Sequence, residues 1–169
     1  MKTLPELKRA VFFDRDGVLN RKPAEHDSVK NFGEFFWNEG AQELVKNINN
    51  LNFLVIVISN QRGVALGRMS KDFVEALHVQ MNKDLGKIGA RIDAFYYCPH
   101  DVIDRCLCRK PAPGMFLTAA SEWGIDLSKS FMIGDRESDI VAAQSAGCKG
   151  IKIETDSIKI QEILTAINL

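Results

Sequence analysis

The sequence predicts an α/β fold in which a parallel sheet is sandwiched between helices. Short apolar runs rich in β-branched and aromatic residues alternate along the chain with longer stretches of helical pattern. Strands that alternate with helices form βαβ units, and their crossovers produce a parallel sheet covered on both faces. No repeat, low-complexity tract or Pro/Gly/Ser-rich linker divides the 169 residues. We therefore expect a single domain spanning residues 1–169, large enough to bury about two-thirds of its unfolded surface.

Five strands and five helices are predicted in alternation. The strand runs are Ala-Val-Phe-Phe at 10–13, Phe-Leu-Val-Ile-Val-Ile at 53–58, Ile-Asp-Ala-Phe-Tyr-Tyr at 92–97, Phe-Met-Ile at 131–133 and Gly-Ile-Lys-Ile at 150–153. Helical patterns cover residues 39–50, 70–85, 113–123, 137–146 and 156–167. Ser70 stands where an N-cap is expected, and Gly124 and Gly147 stand where helices commonly end.

Composition excludes several classes of function. Twenty-two Lys and Arg balance 22 Asp and Glu, so no net charge attracts nucleic acid or an anionic membrane. The longest apolar run, at 53–58, is far too short to span a bilayer, and the first eight residues lack the apolar core of a signal peptide. We expect a cytoplasmic monomer without nucleic-acid or membrane partners. An anionic substrate would have to be bound by local positive groups.

Polar side chains recur where the predicted strands end. Asp14 and Asp16 follow the first strand, Ser59 the second and Asp135 the fourth, while Lys110 comes after the third. Ligands of parallel sheets bind beyond the carboxyl ends of the strands, so these residues are expected to form one site.

This set of residues indicates phosphoryl transfer. Asp14, Asp16 and Asp135 would repel one another without a cation, and their hard oxygen ligands favour Mg²⁺. Asp14 is the expected nucleophile, forming an aspartyl-phosphate, and Asp16 the expected general acid and then base. Ser59 and Lys110 would bind the phosphoryl oxygens. Each motif alone has a simpler interpretation, and D-x-D-G by itself is more often a turn or a calcium-like loop, but all four in this order favour catalysis.

A cysteine and histidine cluster lies at 98–108. Its members are Cys98, His100, Cys106 and Cys108. In a reducing compartment three thiolates and an imidazole favour tetrahedral Zn²⁺, here as a closed structural site. The alternative is a set of unligated thiols beside a surface histidine. Bound zinc would hold Arg109 and Lys110 over the phosphate, whereas Cys148 is interpreted as a small core residue.

At these residues the sequence resembles the haloacid dehalogenase-like phosphohydrolases. Their motifs look like D-x-D-G-[TV], a strand-terminal Ser or Thr, a Lys, and G-D-x-x-x-D, which match 14–18, Ser59, Lys110 and 134–139. The resemblance implies a Rossmann-like fold and Mg²⁺ held by Asp14, the Asp16 carbonyl and Asp135, with Asp139 in support. The intervals between motifs leave no room for a large cap domain, so the active site should be open.

Within that superfamily the chain resembles the branch of D-glycero-D-manno-heptose 1,7-bisphosphate phosphatases and histidinol-phosphatases. The segments N-Q-R-G-V-A-L-G at 60–67 and R-K-P-A-P-G-M at 109–115 favour the heptose enzymes, and the five-residue spacer between His100 and Cys106 favours the histidinol enzymes. The resemblance therefore implies a Mg²⁺-dependent heptose bisphosphate 7-phosphatase of lipopolysaccharide heptose synthesis. The candidate substrate-binding residues are Asn20, Asn60, Gln61, Arg62, Arg109 and Arg136.

Two alternatives remain at this stage. Histidinol phosphate, or another small sugar phosphate, would be the substrate of a related phosphatase, and Glu25 or Trp37 could then recognise the imidazole and amine of histidinol phosphate. A catalytically inactive, zinc-stabilised binding module is the other class of protein. It would be expected to lack the nucleophile or the acid, yet Asp14 and Asp16 are both present.

Overall fold

The computed structural model describes residues 6–24 and 27–168. Its strands are β1 (Ala10–Phe13), β2 (Leu54–Asn60), β3 (Ala94–Cys98), β4 (Phe131–Gly134) and β5 (Lys149–Lys152). Its helices are α1 (Ala41–Asn50), α2 (Lys71–Gly86), α3 (Gly114–Trp123), α4 (Glu137–Ser145) and α5 (Ile160–Asn168). Short 3-10 turns lie at Phe32–Glu34, Val102–Asp104 and Leu127–Lys129. The predicted α/β class and all ten predicted elements are confirmed.

All five strands form one parallel sheet in the order β3-β2-β1-β4-β5. The chain builds outward from β1 to β2 and β3, and then crosses back to add β4 on the other side of β1. A crevice opens beyond the carboxyl ends of β1 and β4, because the connections that leave these two strands run in opposite directions. The crevice lies beside Asp14 and Asp135, the residues that follow β1 and β4.

Alternating side chains of β1 divide the core into two halves. Val11 and Phe13 pack on one face with buried residues of α1, α2 and α5. Phe12 lies on the other face against α3, with its ring centroid 4.9 Å from that of Phe116. Both faces of β1 are fully buried, as expected for a central parallel strand. Burial on both sides fixes the strand ends, and with them the positions of the polar residues that follow.

Local capping agrees with the sequence in most places. The Ser70 side chain accepts a hydrogen bond from the Phe73 N–H at the start of α2, and Gly124 ends α3 in the left-handed conformation. The last helix differs, since α5 begins at Ile160 and not at 156. Asp156 has a positive φ of 58°, and its side chain accepts hydrogen bonds from the Lys22 N–H and the Asn38 amide. Its role in this loop excludes it from the helix.

The connection from β1 to β2 contains a 3-10 turn and α1, and that from β2 to β3 contains α2. No cap domain is inserted at either place among the described residues, as expected. Within those same residues no helix combines the length and the apolar character needed to cross a membrane.

Candidate active site

Three carboxylates meet at the crevice between β1 and β4. Asp14 directly follows β1, Asp135 directly follows β4, and Asp139 lies in the first turn of α4. Each offers an oxygen within 4.8 Å of those of the other two, and all three residues are buried. Gly134 allows this packing, because a Cβ at that position would collide with the Asp139 side chain. The parallel sheet thus brings together carboxylates that are more than a hundred residues apart in the chain.

Lys110 lies within this carboxylate cluster. Its Nζ is 3.0 Å from Asp14 Oδ1 and 2.6 Å from Asp139 Oδ1, and it donates to the Ile58 carbonyl at 2.8 Å. Burial alone would lower the pKa of Lys110, but the two carboxylates raise it above its ordinary value. Lys110 is therefore a buried permanent cation that neutralises part of the cluster.

The orientation of the Asp14 carboxylate is fixed by two donors on one oxygen. Oδ1 accepts the Arg15 backbone N–H at 2.8 Å and faces the Lys110 ammonium. Burial raises the pKa of Asp14 to about 7; the Lys110 ammonium opposes the shift, and the nearby Asp139 and Asp16 add to it. A divalent cation at this point would reverse that effect and keep the carboxylate ionised.

Asp135 provides the test of whether a metal fits. Its Oδ1 is buried and has no hydrogen-bond partner among the described residues, whereas its Oδ2 accepts from Lys22 Nζ and Thr155 Oγ1. A buried, unpartnered carboxylate oxygen is costly, and Asp14 and Asp139 oxygens lie close by. Hard oxygen donors of this kind suit Mg²⁺, so the site fits the ion that the sequence predicts.

Asp16 accepts hydrogen bonds on both of its oxygens. The fully buried Arg15 guanidinium pairs with it through Nε and Nη2, at 3.1 to 3.3 Å. The amides of Asn20 and Gln61 add bonds of 3.0 and 2.9 Å. Burial alone would raise the pKa of Asp16, but Arg15, Asn20 and Gln61 lower it below its ordinary value. The side chain is therefore held as an ionised carboxylate.

Two candidates for substrate binding make intramolecular contacts. Asn20 is fully buried and donates to Asp16 and to the Arg21 carbonyl. It lies beneath the site and holds Asp16 instead of lining the pocket. Gln61 lines the pocket, but its amide donates both to Asp16 and, at 2.7 Å, to the buried Ser59 hydroxyl.

Asn60 forms a reciprocal pair with the backbone of Lys110. Its Nδ2 donates to the Lys110 carbonyl and its Oδ1 accepts the Lys110 N–H, both at 3.0 Å. The pair ties the end of β2 to the loop that carries Lys110. Arg62 adds an ion pair with Asp101 of the same loop.

The four predicted zinc ligands converge within that loop. Their sulfur and Nδ1 atoms all lie within 4.8 Å of one another, with neighbouring separations of 3.2 to 3.5 Å. A tetrahedral zinc with bonds of about 2.0 to 2.3 Å separates its ligands by roughly 3.5 Å, so the donor set fits. Cys148 is buried elsewhere, in the core on the α3 and α4 face.

A cavity of about 820 Å³ opens over the carboxylates. Asp14, Asp16 and Asp139 lie at its base, and many of the other lining residues carry positive charge. These cations are Lys22, Arg62, Arg68, Arg109, Lys110 and Arg136. Beyond the three at the base, Asp27 is the acid among the described lining residues. The cavity is suited to a substrate with more than one anionic group.

Trp37 does not line this cavity. It packs edge-on against Phe35 and donates from its indole N–H to Asp84. The expectation that Trp37 could recognise an imidazole is therefore wrong, because it belongs to the hydrophobic packing on the α1 face. Glu25, the other candidate for that role, lies outside the described residues.

Several site residues had escaped prediction. Arg15 contacts Asp16 directly, and Lys22 and Thr155 contact Asp135. Arg15 is visible within the D-R-D-G motif, where an arginine between two carboxylates is a candidate ion-pair partner. No local sequence pattern indicates that Thr155 and Lys22 contact Asp135, since 20 and 113 residues separate them from it.

Comparisons with known proteins identify similar sequences over most of the chain. Residues 107–167 match the family model Hydrolase_like, described as HAD-hydrolase-like. The D-glycero-beta-D-manno-heptose-1,7-bisphosphate 7-phosphatase of Rhodopseudomonas palustris is 40% identical over 158 residues, which are 89% of this chain and 86% of the relative. Its namesake from Vibrio cholerae is 37% identical over 153 residues, 86% of this chain and 80% of the relative.

A solved structure is similar over nearly the whole chain. The D,D-heptose 1,7-bisphosphate phosphatase from B. bronchiseptica, complexed with magnesium and phosphate, superimposes with a TM-score of 0.82 at 30% identity. The match covers 94% of this chain and 86% of that one.

Proposed function

The chain belongs to the haloacid dehalogenase-like hydrolase family that includes the D-glycero-beta-D-manno-heptose-1,7-bisphosphate 7-phosphatases, and on that premise we propose that it hydrolyses the 7-phosphate of this heptose bisphosphate. The reaction proceeds through an aspartyl-phosphate on Asp14. Its product is a heptose 1-phosphate for the synthesis of lipopolysaccharide heptose. We place the enzyme in the cytoplasm, as a monomer.

The geometry of Asp14 supports its role as nucleophile. Two donors hold Oδ1, and among the described residues none donates to Oδ2, which leaves its lone pairs for attack on phosphorus. A bond forms from Asp14 to phosphorus as the bond between phosphorus and the sugar O7 breaks. Lys110 stabilises the charge that develops on the phosphoryl oxygens. Asp14, the Asp16 carbonyl and Asp135, with Asp139 in support, would hold Mg²⁺, which would supply further charge neutralisation when bound.

Asp16 handles the protons of both steps. In the second step, its ionised carboxylate accepts a proton from the water that hydrolyses the aspartyl-phosphate and releases inorganic phosphate. In the first step it must be protonated to donate to O7, which requires giving up a bond from Arg15, Asn20 or Gln61. These donors adjust the basicity of Asp16, and Gln61 also connects it to the Ser59 hydroxyl.

The cationic lining of the cavity is the observation that favours a bisphosphate. Once one phosphoryl group lies at Asp14, the second needs positive charge elsewhere in the cavity. Arg62, Arg109 and Arg136 line the walls, and we assign them to the remote phosphate and the sugar. Histidinol phosphate carries an amine and an imidazole instead, for which the described walls offer Asp27 and no aromatic ring.

The Cys98, His100, Cys106 and Cys108 site is proposed to bind zinc and to stabilise the loop from which Arg109 and Lys110 project. Lys110 follows the last thiolate by two residues, and its backbone is tied to β2 by Asn60. Zinc therefore acts in positioning and takes no part in the chemistry.

A phosphate-ester panel tests the substrate. Purified protein with Mg²⁺ is given the α and β anomers of D-glycero-D-manno-heptose 1,7-bisphosphate and histidinol phosphate, and phosphate release is measured. We expect the β anomer to give the highest kcat/KM. Faster hydrolysis of histidinol phosphate would overturn the substrate assignment.

The nucleophile is tested separately. Asp14→Asn should abolish phosphate release, because the amide cannot form the acyl phosphate. An unchanged rate in this variant would refute the assignment of Asp14 as the nucleophile, whereas a wild-type protein that released no phosphate would favour an inactive binding module.

A further inference from the structure

The two oxygens of the Asp135 carboxylate have different surroundings. Thr155 Oγ1 and Lys22 Nζ both donate to Oδ2, each at 2.7 Å. Oδ1 is buried and has no partner among the described residues. With the side chain fully buried and Oδ2 occupied, Oδ1 is the oxygen left for a cation.

The loops that carry both donors are anchored to each other. Asp156 follows Thr155, and its side chain accepts the Lys22 backbone N–H at 2.9 Å. The Asp156 N–H donates to the Gly17 carbonyl, also at 2.9 Å. Gly17 has a φ of +93°, and a Cβ there would lie 2.6 Å from Asp135 Oδ2. The loops after β1 and β5 therefore close around Oδ2 with no space for a further side chain.

The two donors differ in charge, and this difference separates their effects on a metal. The Thr155 hydroxyl is neutral, so its hydrogen bond orients the carboxylate at no electrostatic cost to a cation on Oδ1. The Lys22 ammonium is a unit positive charge on the same carboxylate, with its side chain 29% exposed. A divalent cation would have to share the negative charge of Asp135 with it.

We propose that Thr155 and Lys22 are positioning residues of the metal site, in which Thr155 aims Oδ1 of Asp135 at the divalent cation while the Lys22 ammonium weakens the binding of that cation. The inference rests on the magnesium site proposed above. Contacts of this kind, behind the direct ligands, control metal affinity in other proteins. Here the two contacts act in opposite directions.

Titration of Mg²⁺ alone into zinc-loaded, magnesium-free protein, followed by calorimetry, measures both effects. Thr155→Val keeps the shape of the side chain but removes the hydroxyl, and should raise the Kd for Mg²⁺ about tenfold. Thr155→Ser retains the donor and should restore an affinity close to that of the wild type. Lys22→Met should lower the Kd by roughly three- to tenfold, because it removes a partly screened positive charge.

Lys129→Met is the matched control for the loss of one positive charge. Lys129 is an exposed residue paired with Asp126, away from the cavity, and its removal should leave the Kd unchanged. Local unfolding would weaken Mg²⁺ binding, so tighter binding by Lys22→Met cannot come from structural damage.

An unchanged or higher Kd in Lys22→Met, or an unchanged Kd in Thr155→Val, would overturn the inference while leaving the proposed function intact. Wild-type protein that bound no Mg²⁺ and released no phosphate would overturn the two together.

Discussion

Replacement of Lys110 by methionine should separate the electrostatic role of this residue from its packing. Methionine retains most of the buried aliphatic volume but removes the ammonium, which lies 3.0 Å from Asp14 Oδ1 and 2.6 Å from Asp139 Oδ1. At an effective dielectric constant of about 20, these contacts are worth roughly 5 and 6 kcal/mol of Coulomb attraction before desolvation is subtracted. Removing one member of a buried ion pair costs about 3–5 kcal/mol net.

The free energy of unfolding of magnesium-free Lys110→Met should fall by about that amount, as measured by urea denaturation. Mg²⁺ should recover part of the loss, since a cation can neutralise the carboxylates left unpaired. With Mg²⁺ saturating, kcat should fall by a factor on the order of hundreds, because the charge on the transferring phosphoryl group loses a fixed partner.

Lys129→Met serves as the surface control and should change neither quantity measurably, because an exposed i,i+3 pair contributes little. A kcat for Lys110→Met near that of the wild type would refute the role of Lys110 in charge stabilisation. An unchanged urea midpoint in magnesium-free protein would refute the electrostatic account of the cluster.

Three further predictions concern neighbouring features. Burial raises the pKa of Asp14 from 3.8 to about 7 in magnesium-free protein, so between these pH values the folded state holds a proton that the unfolded state releases. The free energy of unfolding should therefore fall as pH rises from about 4 to 7. Urea unfolding of Asp14→Asn should lack this pH-dependent loss, and a pH profile identical to that of the wild type would contradict the prediction. Asn60→Ala loses both bonds to the Lys110 backbone and should lower kcat about tenfold with little change in KM, whereas a rise in KM alone would indicate direct substrate binding. Cys106→Ser should lose zinc and most of kcat/KM, whereas Cys148→Ser should keep both, as measured by metal analysis and phosphate release. Full activity without zinc would exclude the role of zinc in positioning Arg109 and Lys110.

Much of the fold was predictable from local pattern. The inner strands β1, β2 and β4 are short apolar runs. Ser70 marks the start of α2 through its side-chain hydrogen bond, and Gly124 marks the end of α3 through its left-handed backbone. Such signals act over a few residues, so they are readable without knowledge of the tertiary structure. The start of α5 was misplaced because Asp156 makes contacts with Lys22 and Asn38, which no local pattern reports.

The candidate site divides in the same way. The motifs around Asp14, Ser59, Lys110 and Asp135 were recognisable because phosphoryl transfer requires those residue types, and the strand-end rule placed them together. The roles of Asn20 and Asn60 were not recognisable in this way. Both are predicted to bind substrate. Asn20 is buried beneath Asp16, whereas Asn60 lines the cavity and also pairs with the Lys110 backbone.

The order of the elements, the carboxylate and lysine set, and the cysteine and histidine cluster are all readable from the chain alone. Each depends on residues close together in the chain or on chemistry that few residue types can perform. The tertiary structure alone reveals that Lys22 and Thr155 occupy one oxygen of Asp135, while the other has no partner among the described residues. The physical reason is the strand order, in which β1 lies between β2 and β4. That arrangement brings the loops after β1, β4 and β5 to one edge of the sheet. Charged side chains from distant parts of the chain lie close enough there to form ion pairs and hydrogen bonds with one another.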